Sequence, residues 1–150
     1  MDPYIADKSG QKIWQHIRNA SHGWDEPRTP VKYYVQNTVV VKRGKNIDFL
    51  KLHRRLKQID LETEYTGNRG VFRLISGGNN QTFMVIRGFD SHEAVFTNNL
   101  SDDKNWRDVY DEKFGETALE EDLSAYNDAI EMWGSSVVKM MYRPDLSSKL

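Results

Sequence analysis

The chain is expected to fold as a single α+β domain in the order β-α-β-β-α-β, with a four-stranded antiparallel sheet and its helices on one face. Three observations carry that expectation. Residues 31–42, VKYYVQNTVVVK, are dominated by the β-branched and aromatic side chains that suit a pleated, half-buried surface. VFRLIS (71–76) and TFMVIRGF (82–89) flank Gly77-Gly78-Asn79-Asn80, residue types that tolerate positive φ, so the pair reads as a hairpin. Elsewhere, apolar residues recur at helical spacing.

Taken in order, residues 1–30 predict an N-terminal helix from Ile5 to Ile17 and an irregular arm broken by Gly23, Pro27 and Pro30. The domain proper spans residues 31–150. Its first strand ends at Gly44. Asn46 is placed to cap a helix in which Phe49, Leu52, Leu56 and Ile59 share one face, while Lys51, Arg54, Arg55 and Gln58 lie opposite. In the hairpin, a register that pairs Ser76 with Gln81 sets Arg73 opposite Met84, among apolar side chains, and Arg87 on the other face. Asp90 and Glu93 form a capping box for a short helix to about Leu100, and Lys104 to Phe114 adds a second helical piece. Thr117 and Glu120 form another box. It opens a helix striped by Leu119, Leu123, Tyr126, Ile130 and Trp133, with Gly134 as its stop. SVVKMMY (136–142) before Pro144 is the closing strand.

Composition narrows the function classes. The chain has no cysteine, which excludes disulfides, thiolate metal sites and cysteine nucleophiles. A net charge of −1 divides unevenly: residues 1–60 hold 12 Lys/Arg and 6 Asp/Glu, the remainder 9 and 16. That division supplies no concentrated basic face for nucleic acid and suits self-association through complementary patches. The first residues lack the basic start and apolar run of a signal peptide, and no stretch is long enough to span a bilayer, so a soluble, cytoplasmic chain is expected. Helices on one face of a sheet leave the other face needing cover. A second subunit would provide it, and a homodimer is the expected assembly.

The element order, the strand YYVQNTVVVK and the closing strand VVKMMYRPDL resemble the dimeric α+β barrel superfamily, which includes antibiotic-biosynthesis monooxygenase-like, stress-responsive and NIPSNAP-like proteins. The resemblance covers residues 31 to about 146. It implies a ferredoxin-like fold, paired sheets across a dimer, and a pocket between sheet and helices for a small apolar or aromatic molecule, a polyketide or haem. Haem-degrading members carry an asparagine on the first strand, a histidine within the second main helix and a tryptophan on a sheet strand. Asn37 matches the first, whereas His92 stands at a helix start and the hairpin strands hold no tryptophan.

Four residues are the candidates for a ligand site. Asn37 interrupts Tyr33, Val35, Val39 and Val41 on one strand face, where a buried amide needs a hydrogen-bonding partner. Arg73 can hold a carboxylate. His92, beside Glu93, can act as an acid–base group at a pocket mouth. Trp106, with Tyr110 and Phe114, forms an aromatic stripe able to serve as a wall or lid over the sheet. His53 sits on the shoulder of a helix stripe and reads as a packing residue. No histidines or carboxylates have metal-ligand spacing, and no motif specifies a cofactor. The leading expectation is small-molecule binding. A cofactor-independent or haem-linked monooxygenase and an RNA-binding module of the same element order are the alternatives. The latter is disfavoured because TFMVIRGF lacks the glycine-aromatic pattern of such modules.

Overall fold

A computed structural model of the chain describes residues 11–24, 32–65, 67–89, 91–97 and 106–140. It is an α+β fold. Five strands, β1 (Ile13–His16), β2 (Tyr33–Val41), β3 (Arg69–Ser76), β4 (Thr82–Phe89) and β5 (Ile130–Met140), form one sheet in the order β1-β3-β4-β2-β5. Every neighbouring pair is antiparallel. The helices are α1 (Asn46–Glu62), α2 (His92–Thr97), α3 (Trp106–Phe114) and α4 (Ala118–Ala129).

The sheet thus has five strands where four were expected, and the extra one replaces part of the expected N-terminal helix. Ile13–His16 pairs with β3, Trp14 opposite Leu74 and His16 opposite Phe72. Isoleucine and tryptophan favour extended backbone, and the outer edge of β3 offers unpaired N–H and C=O groups that a local helix would leave unmet. The chain stays on that edge beyond β1: Ile17 N donates to Val71 O at 2.8 Å, and His22 and Arg69 exchange backbone hydrogen bonds of 2.8 and 3.0 Å. Residues 5–10 of the expected N-terminal helix lie outside the described residues, as do Asp90 of the capping box expected to open the short helix to Leu100 and residues 98–100 at its end.

The last helix also ends earlier than its stripe suggests. α4 stops at Ala129 and β5 begins at Ile130 without a loop, so Ile130 and Trp133 are strand residues. Gly134 is a bulge rather than a stop. Asn37 pairs with Ser136 and Val39 with Trp133, so Gly134 and Ser135 together oppose Thr38. A side chain at 134 would put its Cβ 2.5 Å from the Thr38 carbonyl oxygen, which is why glycine stands there. A second irregularity, at Glu131, lies between the Val40–Met132 and Val41–Ile130 pairs. The helix starts differ from expectation as well. Neither Asn46 nor Thr117 caps through its side chain. Instead Asp111 Oδ1 accepts the Leu119 N–H at 2.8 Å, tying the start of α4 to α3.

Side chains alternate across the sheet, and one face meets the helices. Val39 and Val41 of β2, Val71 of β3, and Phe83 and Val85 of β4 bury against Phe49 and Leu50 of α1 and Ala129 of α4. A second cluster joins the helices to one another through Leu52, Ile59, Tyr110, Ala118 and Leu119. At its centre Asp122, 2 % exposed, accepts from Lys51 at 2.8 Å, Arg55 at 2.6 Å and the Tyr110 hydroxyl at 2.6 Å. Burial raises the cost of its charge, but these three donors outweigh it and hold the carboxyl below its ordinary range. One buried carboxylate therefore locks α1, α3 and α4 together.

The opposite face carries Val40, Phe72, Met84 and Ile86, all half-buried. Trp24 folds onto it, meeting the Phe72 ring edge-on at 5.5 Å and lying so close over Gly70 that a Cβ there would strike the indole. Toward β5 the same face exposes Met132 and Val137. Among the described residues no helix is long and apolar enough to cross a membrane.

Candidate ligand-binding site

Where the helices lift away from the sheet, a cavity of about 220 Å³ opens between β2, β3, β4 and β5 below and α1, α3 and α4 above. Val39, Val85 and Leu56 supply its apolar lining. Trp106 from α3, Tyr126 from α4 and Trp133 from β5 supply aromatic walls. Tyr126 is held by rings on several sides, at 5.1 Å from Phe49, 5.5 Å from His53 and 6.3 Å from Trp133. Its hydroxyl is pushed up to about 12 by burial, so it is a neutral group here. Trp133 is 62 % exposed and marks the mouth.

The polar lining is Asn37, His53, Arg69 and Arg87. His53 is 5 % exposed, and neither ring nitrogen has a hydrogen-bonding partner among the described residues. Burial, assisted by the positive charge of Arg69, pushes its pKa down to about 3, so the ring is neutral at physiological pH. A neutral imidazole offers one donor and one acceptor. Both are unused among the described residues.

The two arginines are directly opposed on adjacent strands. Arg69 is buried and pairs with Asp60 of α1, Nη1 to Oδ2 at 3.2 Å and Nη2 to Oδ1 at 3.4 Å. Burial pushes the Asp60 carboxyl above its ordinary range even though Arg69, His22 and Arg87 all favour its charge. Burial, then repulsion from Arg69, depresses Arg87, which is hydrogen-bonded to Tyr65. Tyr65 is fixed in turn by its backbone oxygen, which accepts from His22 Nε2 at 2.7 Å.

Of the four residues singled out from the sequence, the cavity brings together Asn37 and Trp106. Arg73 is elsewhere. The hairpin register pairs it with Phe83 rather than Met84, one residue from expectation, and its Nε donates to Asn80 O at 2.9 Å while the guanidinium stands 5.8 Å from the Phe83 ring centre. The same one-residue difference puts Arg87 on the helix-bearing face, opposite Val35. His92 is exposed and meets Tyr33 edge-on at 5.8 Å, away from the cavity. The sequence reading passed over His53 as packing and did not single out Arg69. The signal for Arg69 was its placement across the hairpin from Arg87, which depends on the register. Among the described residues, no three His, Asp or Glu side chains are grouped to hold a metal ion. No protein-family model, no curated protein and no solved structure matches the chain.

Proposed function

We propose that the protein is a small-molecule-binding homodimer of the dimeric α+β barrel type, with its ligand in the cavity between the sheet and α1, α3 and α4. The observation that carries the binding reading is His53: a buried imidazole with both nitrogens unpartnered, facing a space walled by Trp106, Tyr126 and Trp133. Proteins satisfy nearly all buried polar groups, and one left open at a cavity is best explained by a molecule that satisfies it. The volume is below the roughly 300–1,000 Å³ of sites for drug-sized molecules, which points to a compact ligand.

The strand order β3-β4-β2-β5, with α1 and α4 as crossovers packed on one face, supports a ferredoxin-like core to which β1 adds an edge strand. The apolar side chains on the face away from the helices, and the exposed Met132 and Val137 of β5, support a second copy as their cover.

Ligand-observed NMR with a library of small aromatic molecules tests the binding reading. Hits should be lost in His53→Phe and should quench tryptophan fluorescence. A library with no binder at millimolar concentration overturns it. Sedimentation at micromolar concentration tests the assembly, where a stable monomer removes the dimer.

A further inference from the structure

We infer that the occupant of this cavity is a neutral hydroxylated aromatic ring, a phenol in the simplest case, whose hydroxyl donates to His53 and accepts from Arg69. The inference rests on the reading of the cavity as a small-molecule site and names the chemical class of its ligand.

Two buried polar groups of opposite need line this cavity. His53 is 5 % exposed, and neither of its nitrogens has a partner among the described residues. A neutral imidazole has one nitrogen that only a donor can satisfy. Arg69 is also 5 % exposed, near enough for its charge to be felt at the His53 ring. Its Nη1 stands 3.2 Å from Asp60 Oδ2 but makes no well-directed hydrogen bond among the described residues. That N–H needs an acceptor. Buried groups are rarely left so, and a molecule that satisfies both must give a proton and take one.

This double requirement sorts the common ligand groups. A carboxylate, an ether or a ketone only accepts, and leaves the imidazole nitrogen unmet. An ammonium only donates, leaves Arg69 unmet, and is opposed by the same guanidinium charge that helps hold His53 unprotonated. A hydroxyl does both through one atom, with one O–H and two lone pairs. A carboxamide needs two atoms for the same roles, and space is short. The cavity is about 220 Å³, and roughly 150 Å³ is enough to hold a benzene ring, so little is left beyond one ring and a small substituent. Trp106, Tyr126 and Trp133 present flat faces that suit that ring.

Phenol, toluene, benzoate and benzamide test the inference on the full chain, read by tryptophan fluorescence and ligand-observed NMR. Phenol should bind about tenfold or more tighter than toluene, the factor expected when buried groups regain a hydrogen bond, and tighter than benzoate or benzamide. Its affinity should be flat from pH 5 to 8, where the His53 ring and a phenol that ionises near about 10 both stay neutral. Binding as the phenolate would instead tighten about tenfold per pH unit. His53→Leu, which removes both ring nitrogens, should bring phenol down to the affinity of toluene; the ligand series on the wild-type chain decides the question even where that variant fails to fold. If phenol binds no tighter than toluene, if benzoate or benzamide binds tighter, if affinity climbs with pH, or if folded His53→Leu keeps the preference, the hydroxyl assignment is overturned while the cavity remains a small-molecule site. If no probe binds and the wider library also fails, both readings fall.

Discussion

Replacing His53 with phenylalanine should make the protein more stable and less able to bind. The imidazole is 5 % exposed and both nitrogens lack a partner among the described residues, so their desolvation is borne without return. An unsatisfied buried polar group costs about 1–3 kcal/mol. Phenylalanine keeps the ring contacts at 5.2 Å to Phe49 and 5.5 Å to Tyr126, and its extra bulk has the adjoining cavity to enter. The net expectation near neutral pH is a gain of about 1–2 kcal/mol, or roughly 2–8 °C in Tm for a chain of this length. The pH dependence sharpens the test. With the folded pKa near 3 and the unfolded value at 6.5, the unfolded wild type binds a proton over that interval that the folded form does not. Wild-type stability therefore falls as pH falls from 6.5 toward 3, by about 1.4 kcal/mol per unit from this group. The variant lacks that loss, so its advantage should widen on acidification. Urea denaturation of both proteins at pH 7, 6, 5 and 4 measures the difference directly. A variant less stable than wild type, or an advantage that stays constant with pH, would refute the reasoning.

Asp122→Asn removes the charge that Lys51, Arg55 and Tyr110 share, and should cost about 1–3 kcal/mol, because the two cations left behind stay in reach of water and only the charge-assisted hydrogen bonds are lost. Because the folded carboxyl titrates below its ordinary 3.8, the wild-type contribution is present above that pH and disappears below it, so the two proteins should converge in strong acid. Gly134→Val drives a side chain toward the Thr38 carbonyl and should cost about 1–3 kcal/mol in chemical denaturation. Trp106→Ala should weaken binding of the small aromatic hits by about 1–3 kcal/mol in titration. Its stability should drop by less than the roughly 3–5 kcal/mol of a fully buried tryptophan, since Trp106 is half-buried.

Strand β2, the hairpin and α1 were legible because β-branched runs, turn residues and three-four spacing are local signals. β1 was not, because Ile13–His16 is extended only by virtue of the β3 edge it meets, a contact no short window contains. The α4–β5 junction misled for a related reason: a glycine after an apolar stripe reads as a stop, whereas Gly134 serves a partner strand's carbonyl. In the site, Asn37 and Trp106 could be found because an amide in a valine strand and an aromatic stripe stand out on their own. Arg69 and Arg87 become neighbours only in one hairpin register, and a slip of one residue exchanges partners and faces. His53 looks like any half-apolar helix residue until its surroundings are known to lack a partner.

The two irregularities in β5 divide that strand into segments whose facing can be set separately. In an unbroken strand paired to β2 from Ile130 onward, Met132 would stand opposite Val39 and the cavity would lose its tryptophan; the offset at Glu131 brings Trp133 there instead. The offset at Gly134–Ser135 adds a second extra residue, so the two together leave Val138 opposite Val35 and restore the alternation of the unbroken strand. The stretch from 131 to 135 is thus an interchangeable cassette. Shortening or lengthening it by a residue changes which side chain guards the cavity mouth, while the outer part of β5 keeps its alignment with β2.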